Sequence, residues 1–167
     1  MNTSVRPAAV ADIAGLAAIE RAADALFPPG RIPQGDDGYP VAAFRRAIDE
    51  GVLLVADSAT GVVGFAVAEY RAPWLHLFAL AVHPDHGRQG IGRALVEGVL
   101  VEAQKRGSAG VSLTTFADVP FNGPFYERLG FVPLREGELT PFLAETLRGE
   151  RSRGLTRRQA MAYYLAA

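Results

Sequence analysis

The sequence contains no cysteine. That excludes disulfides, zinc–thiolate centres, cysteine nucleophiles and iron–sulfur ligation, and it is compatible with a reducing compartment. Histidine is scarce: His76, His83 and His86 are the three, too few to make a histidine-rich metal centre by themselves. Lysine is scarcer, with Lys105 alone among 17 basic residues and arginine supplying the rest, a bias of composition. Set against 18 acidic residues, the formal charge is −1. Without a basic excess there is no footprint for neutralising phosphates, which argues against general nucleic-acid binding. Long apolar runs are missing as well. The stretches 51–56 and 62–68 are broken by glycine or charge and fall far short of the roughly 20 residues of a membrane helix. The opening MNTSVRPAAVADIAGL lacks the basic flank, apolar run and small-residue cleavage site of a signal peptide. No membrane partner and a cytoplasmic location are therefore expected.

What is present suits one domain over 1–167. A chain of 167 residues, 49% hydrophobic and 21% charged, can bury about two thirds of its unfolded surface without staples. Val5–Ala8 reads as a short strand. Asp12 is placed to cap a helix running to about Leu26, with Ile13, Leu16, Ile19 and Ala23 on its apolar face. Residues 27–40 (FPPGRIPQGDDGYP) are too rich in Pro, Gly and Asp to be anything but a loop. A short helix over 41–49 follows, then strands over 51–57, 61–70 and 74–82 with hairpin-length connections. The longest helix spans 90–106, and a strand over 111–115, a short helix over 121–129 and a strand from Phe131 come after it. Residues 141–167 read as a helix, an arginine-rich turn (148–158) and a last strand, with a helix over 159–165 as the rival. The turn reads more simply as solvated than as an anion contact. This order predicts an α/β (mixed α+β) fold, a mixed sheet flanked by helices.

The sharpest local feature is His83-Pro84-Asp85-His86-Gly87-Arg88-Gln89-Gly90-Ile91-Gly92-Arg93, between a strand and the long helix. Glycines at 87, 90 and 92 permit tight turning and close approach. The first helical amides lack internal acceptors, and the helix dipole adds positive potential, a geometry suited to a pyrophosphate. Ordinary capping is the plainer alternative. A P-loop would need Lys then Ser or Thr after the last glycine, where Arg93 and Ala94 stand. A dinucleotide fingerprint should be the first turn of a parallel unit, whereas here the helix follows strands that read as an antiparallel meander, and no acidic residue about 20 residues on ends a credible second strand.

The segment resembles the signature of the GNAT superfamily, the acyl-CoA-dependent N-acyltransferases. That signature is Arg or Gln, two residues, Gly, one residue, then Gly or Ala, between the fourth strand and the third helix. Gln89-Gly90-Ile91-Gly92-Arg93-Ala94-Leu95 fits, except that Gly87 holds the leading Arg or Gln position and Arg88 follows it. Phe125-Tyr126-Glu127-Arg128-Leu129-Gly130-Phe131 is similar to the family's helix-to-strand element. The resemblance implies the acyl-CoA N-acyltransferase fold, a mostly antiparallel sheet splayed between its fourth and fifth strands. It implies acetyl-CoA as cofactor, held by the main chain of Leu80, Ala81 and Val82 and by residues 87–93. It implies transfer to a primary amine in a ternary complex, with Tyr126 protonating the departing sulfur. A purely structural Tyr126 and an acyl-CoA-binding sensor without efficient transfer are the alternatives. The family's Asn, seven residues before the Tyr, is Val119 here. Asn122 stands four before and either caps the helix or touches Tyr126 and the cofactor.

An ammonium acceptor must lose a proton before it attacks, so a general base is expected. Glu20, Asp24, Glu69 and His76 are the candidates, and each has an ordinary structural role as its alternative. Strand alternation places His76 on one side with Phe78, Leu80 and Val82. Loop 27–40 is the expected acceptor-specific element. Phe27 and Tyr39 would be apolar walls, Arg31 would meet a carboxylate, and Asp36 and Asp37 an ammonium. The acceptor is a small-molecule or protein amine, and a homodimer is compatible with the sequence.

Overall fold

The computed structural model describes residues 2–166. Seven strands form one sheet in the order β1-β2-β3-β4-β5-β7-β6. They are β1 (Ser4–Pro7), β2 (Val52–Ser58), β3 (Gly61–Arg71), β4 (Trp74–Val82), β5 (Gly110–Phe116), β6 (Val132–Pro133) and β7 (Arg158–Tyr164). Every neighbouring pair is antiparallel except β4 and β5. The helices are α1 (Leu16–Asp24), α2 (Val41–Glu50), α3 (Ile91–Lys105), α4 (Gly123–Arg128) and α5 (Pro141–Ser152). The alternation of strands and helices in the sequence is thus the mixed sheet expected of it.

Each face of the sheet has its own core. On one, Leu54, Ala66, Leu75, Leu77, Val111 and Leu113 pack against Ile91, Leu95, Val96 and Val99 of α3 and against Tyr126 of α4. On the other, Leu53, Val55, Phe65, Val67 and Ala81 pack against Leu16 and Ile19 of α1 and Phe44 of α2. Strands buried on both faces read as continuous apolar runs, which is why β2 and β3 are so hydrophobic.

Several boundaries differ from the sequence reading. Asp12 does not cap α1. It lies inside a 3-10 turn (Val10–Gly15), where its carboxylate reaches back to the Ala9 amide at 2.7 Å and is paired with Arg6. The reach-back satisfies an orphan amide as a capping-box acid does, so the turn precedes α1. The expected last strand forms, over Arg158–Tyr164, and the rival helix does not. The arginine-rich stretch is only partly a turn: Arg148 and Arg151 belong to α5, and Arg158 opens β7.

The decisive feature lies between β4 and β5. They pair only at Trp74–Gly110, Leu75–Val111 and His76–Ser112. Beyond that point β4 pairs with β3 alone and β5 with β7 alone. The sheet therefore forks after His76. The second half of β4, in the middle of the sheet, is correspondingly less covered than the first, and Phe78 is 36% exposed.

Candidate active site

The fork is built by local sequence. The β3–β4 register slips at Val67–Ala79 and Ala68–Leu77, so Phe78 is an extra residue in a β-bulge. A bulge bends its strand and strengthens its twist, which turns β4 away from β5. It also corrects the simple alternation: Leu80 and Val82 pack on the α3 side, whereas Ala79 and Ala81 belong to the α1–α2 side. His76 and Phe78 touch one another, and Phe78 stacks against Tyr39 of that second core. His76 is thus separated by the sheet from the Leu80 and Val82 side chains.

Past Val82 the chain enters the glycine-rich turn. His83 Nδ1 accepts the Asp85 amide at 3.2 Å, a capping contact. Arg88 and Gly90 both adopt left-handed backbone, with φ of 59° and 79°. Such turned backbone aims successive N–H groups into one concavity. Among the described residues, the amides of residues 88–93 find no protein acceptor; the first helical bond of α3 is from Ala94 to Gly90. Gly90 has no atom within 4 Å of where a Cβ would lie, and at Gly92 the nearest is Phe125 Cζ at 3.5 Å. The mouth of α3 is therefore open. Arg93 lies along its own helix, paired with Glu97 at 2.7 Å. The turn and the free edge of β4 are contiguous.

Tyr126 of α4 is 8% exposed and packs edge-on against Phe125 and Phe131. Burial pushes its hydroxyl well above the usual phenol range, and Arg158 opposes that rise. Gly130, at φ 104°, ends the helix, as its place in the sequence suggests. Asn122 occupies the N-cap position without a side-chain capping bond. Its Oδ1 instead accepts the Phe116 amide at 3.3 Å and its Nδ2 donates to the Phe121 carbonyl at 3.1 Å. It clips α4 to the end of β5.

The base candidates separate clearly. Glu69 faces His76 across β3–β4. Its carboxylate accepts from the Tyr39 hydroxyl at 2.7 Å and from Arg46 at 3.3 Å. Burial raises its pKa, but these contacts and Arg71 outweigh that and hold it below the ordinary value. His76 is 2% exposed, with Nδ1 2.9 Å from Ser112 Oγ and the ring packed edge-on against Phe78 and Phe142. Burial lowers it to about 3, so it is neutral and weakly basic. Glu20 differs: burial raises it to about 7, against the pull of the Tyr39 amide, with Asp24 and Asp36 adding to the rise. Asp24 is itself raised to about 6, mainly by burial.

Residues 27–40 span the two halves of the sheet. At one end Phe27 stacks on Phe116 and Phe121, and Arg31 pairs with Asp118, which also holds Arg157 at 2.8 Å. At the other, the Tyr39 amide meets Glu20 and the Tyr39 ring meets Phe78. Arg31 and Asp36, read as substrate contacts, are engaged within the protein, Asp36 with Arg153 at 3.8 Å. The sequence reading missed three groups on the β5 side: Ser112, Thr114 and Glu150. Ser and Thr in a strand give no signal, and Glu150 looks like a surface residue of α5 until the fold buries it to 7% exposure.

Comparison with known proteins agrees with this geometry. A family profile described as an acetyltransferase (GNAT) domain matches residues 49–133, half of the chain. The chain belongs to the GNAT acetyltransferases. The [Ribosomal protein bS18]-alanine N-acetyltransferase of Escherichia coli (strain K12) is 40% identical over 70 residues, 42% of this chain and 47% of that protein. Mycothiol acetyltransferase of Clavibacter sepedonicus is 35% identical over 100 residues, 58% of this chain and 29% of that protein. The chain thus spans about half the length of the first of these curated relatives and less of the second. Among solved structures, PaiA N-acetyltransferase from Thermoplasma acidophilum, in complex with coenzyme A, superposes with a TM-score of 0.75 at 16% identity, covering 99% of this chain and 100% of that one. The ribosomal-protein-S18-alanine N-acetyltransferase from Escherichia coli gives 0.70 at 24% identity, covering 99% and 96%. These likenesses establish the GNAT fold. Among the described residues no helix is long and apolar enough to cross a membrane, and no cluster of metal-ligating side chains occurs.

Proposed function

We propose that the protein transfers the acetyl group of acetyl-CoA to a primary amine by direct attack, with Glu20 as general base and Tyr126 as general acid. The observation that carries this reading is the fork: a free β4 edge, Leu77–Val82, that runs into the open amides of the α3 mouth. The unpaired backbone of β4 matches the amide spacing of a pantetheine arm laid in as an extra strand. The amides of residues 88–93 and the α3 dipole suit its diphosphate, with the exposed Arg88 side chain at the rim. The main chain at the Phe78 bulge, removed from strand pairing, is placed to polarise the thioester oxygen.

The acid and base follow from the protonation states. Tyr126 keeps its proton at neutral pH and has it to give. A carboxylate titrating at about 7 can take a proton from an ammonium, which neither the ion-paired Glu69 nor the buried His76 is suited to do. Asp24 beside it, and the aromatic surfaces of Phe27, Tyr39 and Phe78, line the approach of the acceptor. Two of its curated relatives act, by their names, on an alanine of a ribosomal protein and in mycothiol acetylation, so both peptide and small-molecule amines belong in the test.

Thiol release from acetyl-CoA, followed across free amino acids, polyamines, amino sugars and an alanyl peptide, tests this. Amine-dependent release with at least one of them is expected. Stoichiometric coenzyme A binding with no release for any amine would make the protein a sensor. No binding at all would overturn the reading of the fork.

A further inference from the structure

The two faces of β5 carry different chemistry. Val111 and Leu113, with Met161 of β7, point into the α3 core, so strand alternation turns Ser112, Thr114, Phe116 and Arg158 to the opposite face. That is the face of His76 and Phe78: Ser112 Oγ lies 2.9 Å from His76 Nδ1, and His76 packs on Phe78. Two guanidiniums are held there on one ring, Arg158 at 4.6 Å and Arg31 at 5.3 Å from the centre of Phe116. Each is clamped by a carboxylate. Glu150 accepts from Arg158 Nε at 3.0 Å and Nη2 at 3.2 Å, and Thr114 Oγ1, which also accepts from Nη2 at 3.2 Å, donates to the same carboxylate at 2.7 Å. Asp118 accepts from Arg31 Nη2. Among the described residues neither Nη1 has a protein acceptor; that of Arg31 is sealed from water and that of Arg158 is not. A buried ion pair is costly to build, and donors left unmatched beside it add to the cost, so the arrangement calls for a reason. Phe116 also joins these cations to the acidic side of the site. Phe27 packs on Phe116 at 5.3 Å, its amide donates to the Asp24 carbonyl at 3.1 Å, and Asp24 stands one turn past Glu20 on α1.

We propose that the acceptor is an amine that also carries a carboxylate, and that Arg158 binds this carboxylate through Nη1, with Arg31 adding its charge from the same ring. This rests on the transferase reading above and names the acceptor of that same site. A zwitterion fits the charges at both ends: its ammonium goes to Glu20 and Asp24, its carboxylate to the guanidiniums on Phe116. Arginine suits the task because it stays charged and presents its donors in a fixed plane. Glu150 and Thr114 hold that plane before the acceptor arrives, so little freedom is lost on binding. A charge-assisted hydrogen bond at a largely desolvated guanidinium is stronger than one at open surface. The same groups select against other amines. An acceptor without the carboxylate leaves Nη1 unmatched, and a polyamine brings a further cation against Arg158 and Arg31.

Thiol release from acetyl-CoA with matched acceptors tests this: alanine, serine and glutamate, each beside its α-carboxamide, with spermidine and ethylamine for comparison. Corrected for each amine's fraction of free base, the parent is expected to favour acids over carboxamides by about tenfold or more in kcat/KM. In Arg158→Gln that preference is expected to fall about tenfold, through a higher KM for the acid at unchanged KM for acetyl-CoA, and Arg158→Lys restores part of it. Should Arg158→Gln fail to fold, Glu150→Gln with Arg158→Gln, which leaves no buried charge unpaired, takes its place. With coenzyme A bound, calorimetry is expected to show the N-acetyl amino acid binding about tenfold tighter than its amide, a reading that needs neither turnover nor a variant. A tripeptide with a free or an amidated C-terminus tells whether the carboxylate comes from a free amino acid or a peptide, and an acid preference in either bears the proposal out. A parent that uses carboxamides or spermidine as well as it uses the acids overturns the proposal and leaves the transferase reading standing. So does an equal loss for acid and carboxamide in Arg158→Gln, the mark of a clamp that only holds α5 to the sheet. Release with no amine at all overturns the transferase reading, and this proposal falls with it.

Discussion

At the residue scale, Glu20 links chemistry to stability. Its carboxyl is raised from 4.5 to about 7, chiefly by burial. Between those two values the folded chain holds a proton that the unfolded chain has released. Stability therefore falls as pH rises through that window and stays lower above it. Glu20→Gln removes the penalty while its amide oxygen still accepts the Tyr39 N–H. In urea unfolding the variant is expected to exceed the parent by about 1–2 kcal/mol at pH 8, with the gap closing toward pH 4.5. Its kcat is expected to fall about a hundredfold, whereas the parent's kcat climbs with pH through about 7. A variant both more stable and less active is the usual sign of a group kept for function. The sequence named Glu20 as one base candidate among four and could not rank them. Ranking depends on desolvation and on which partners hold each carboxylate. Tyr39, which holds Glu69 through its hydroxyl and Glu20 through its amide, is 30 and 19 residues from them along the chain.

At the element scale, the mouth of α3 depends on two glycines in different ways. Gly90 is left-handed, so a side chain there is strained even though the space is open. Gly90→Ala is expected to lose about 1 kcal/mol in thermal or urea unfolding and to weaken coenzyme A binding about tenfold in calorimetry, because the strained backbone redirects the amides. Gly92 lies in the first turn of the helix, where an added Cβ would make ordinary contact with Phe125. Gly92→Ala is expected to leave stability within about 0.5 kcal/mol. Equal losses of coenzyme A affinity at the two positions would argue that bulk, not backbone direction, matters. The turn was legible from its glycine spacing and flanking strand and helix, since both amide exposure and left-handed turning are local properties. The β-bulge at Phe78 was not legible. Nothing in Leu77-Phe78-Ala79 marks it, and it arises from fitting β4 to β3 while β5 turns away.

At the scale of the whole molecule, residues 27–40 hold the two halves of the forked sheet together from above. Their β5-side anchor is Asp118, gripped by Arg31 and Arg157 and lowered to about 2 by those contacts. The anchor thus stays charged throughout the working pH range. Asp118→Asn is expected to speed amide hydrogen exchange in residues 27–37 several-fold while leaving the sheet amides as protected as before, since the segment lies outside the two main cores. Unchanged exchange there would show that Phe27, stacked between Phe116 and Phe121, suffices as the anchor. The sequence by itself determined the order of the elements, the glycine-rich turn, Tyr126 on its short helix and the family, because periodicity, turn chemistry and contiguous motifs are written along the chain. Tertiary structure alone decided the fork after His76, the side of the sheet each β4 side chain takes, the engagement of Arg31 and Asn122 within the protein, and the burial of Glu150 against Arg158. Those outcomes depend on desolvation and on partners distant in sequence, which only the folded packing brings together.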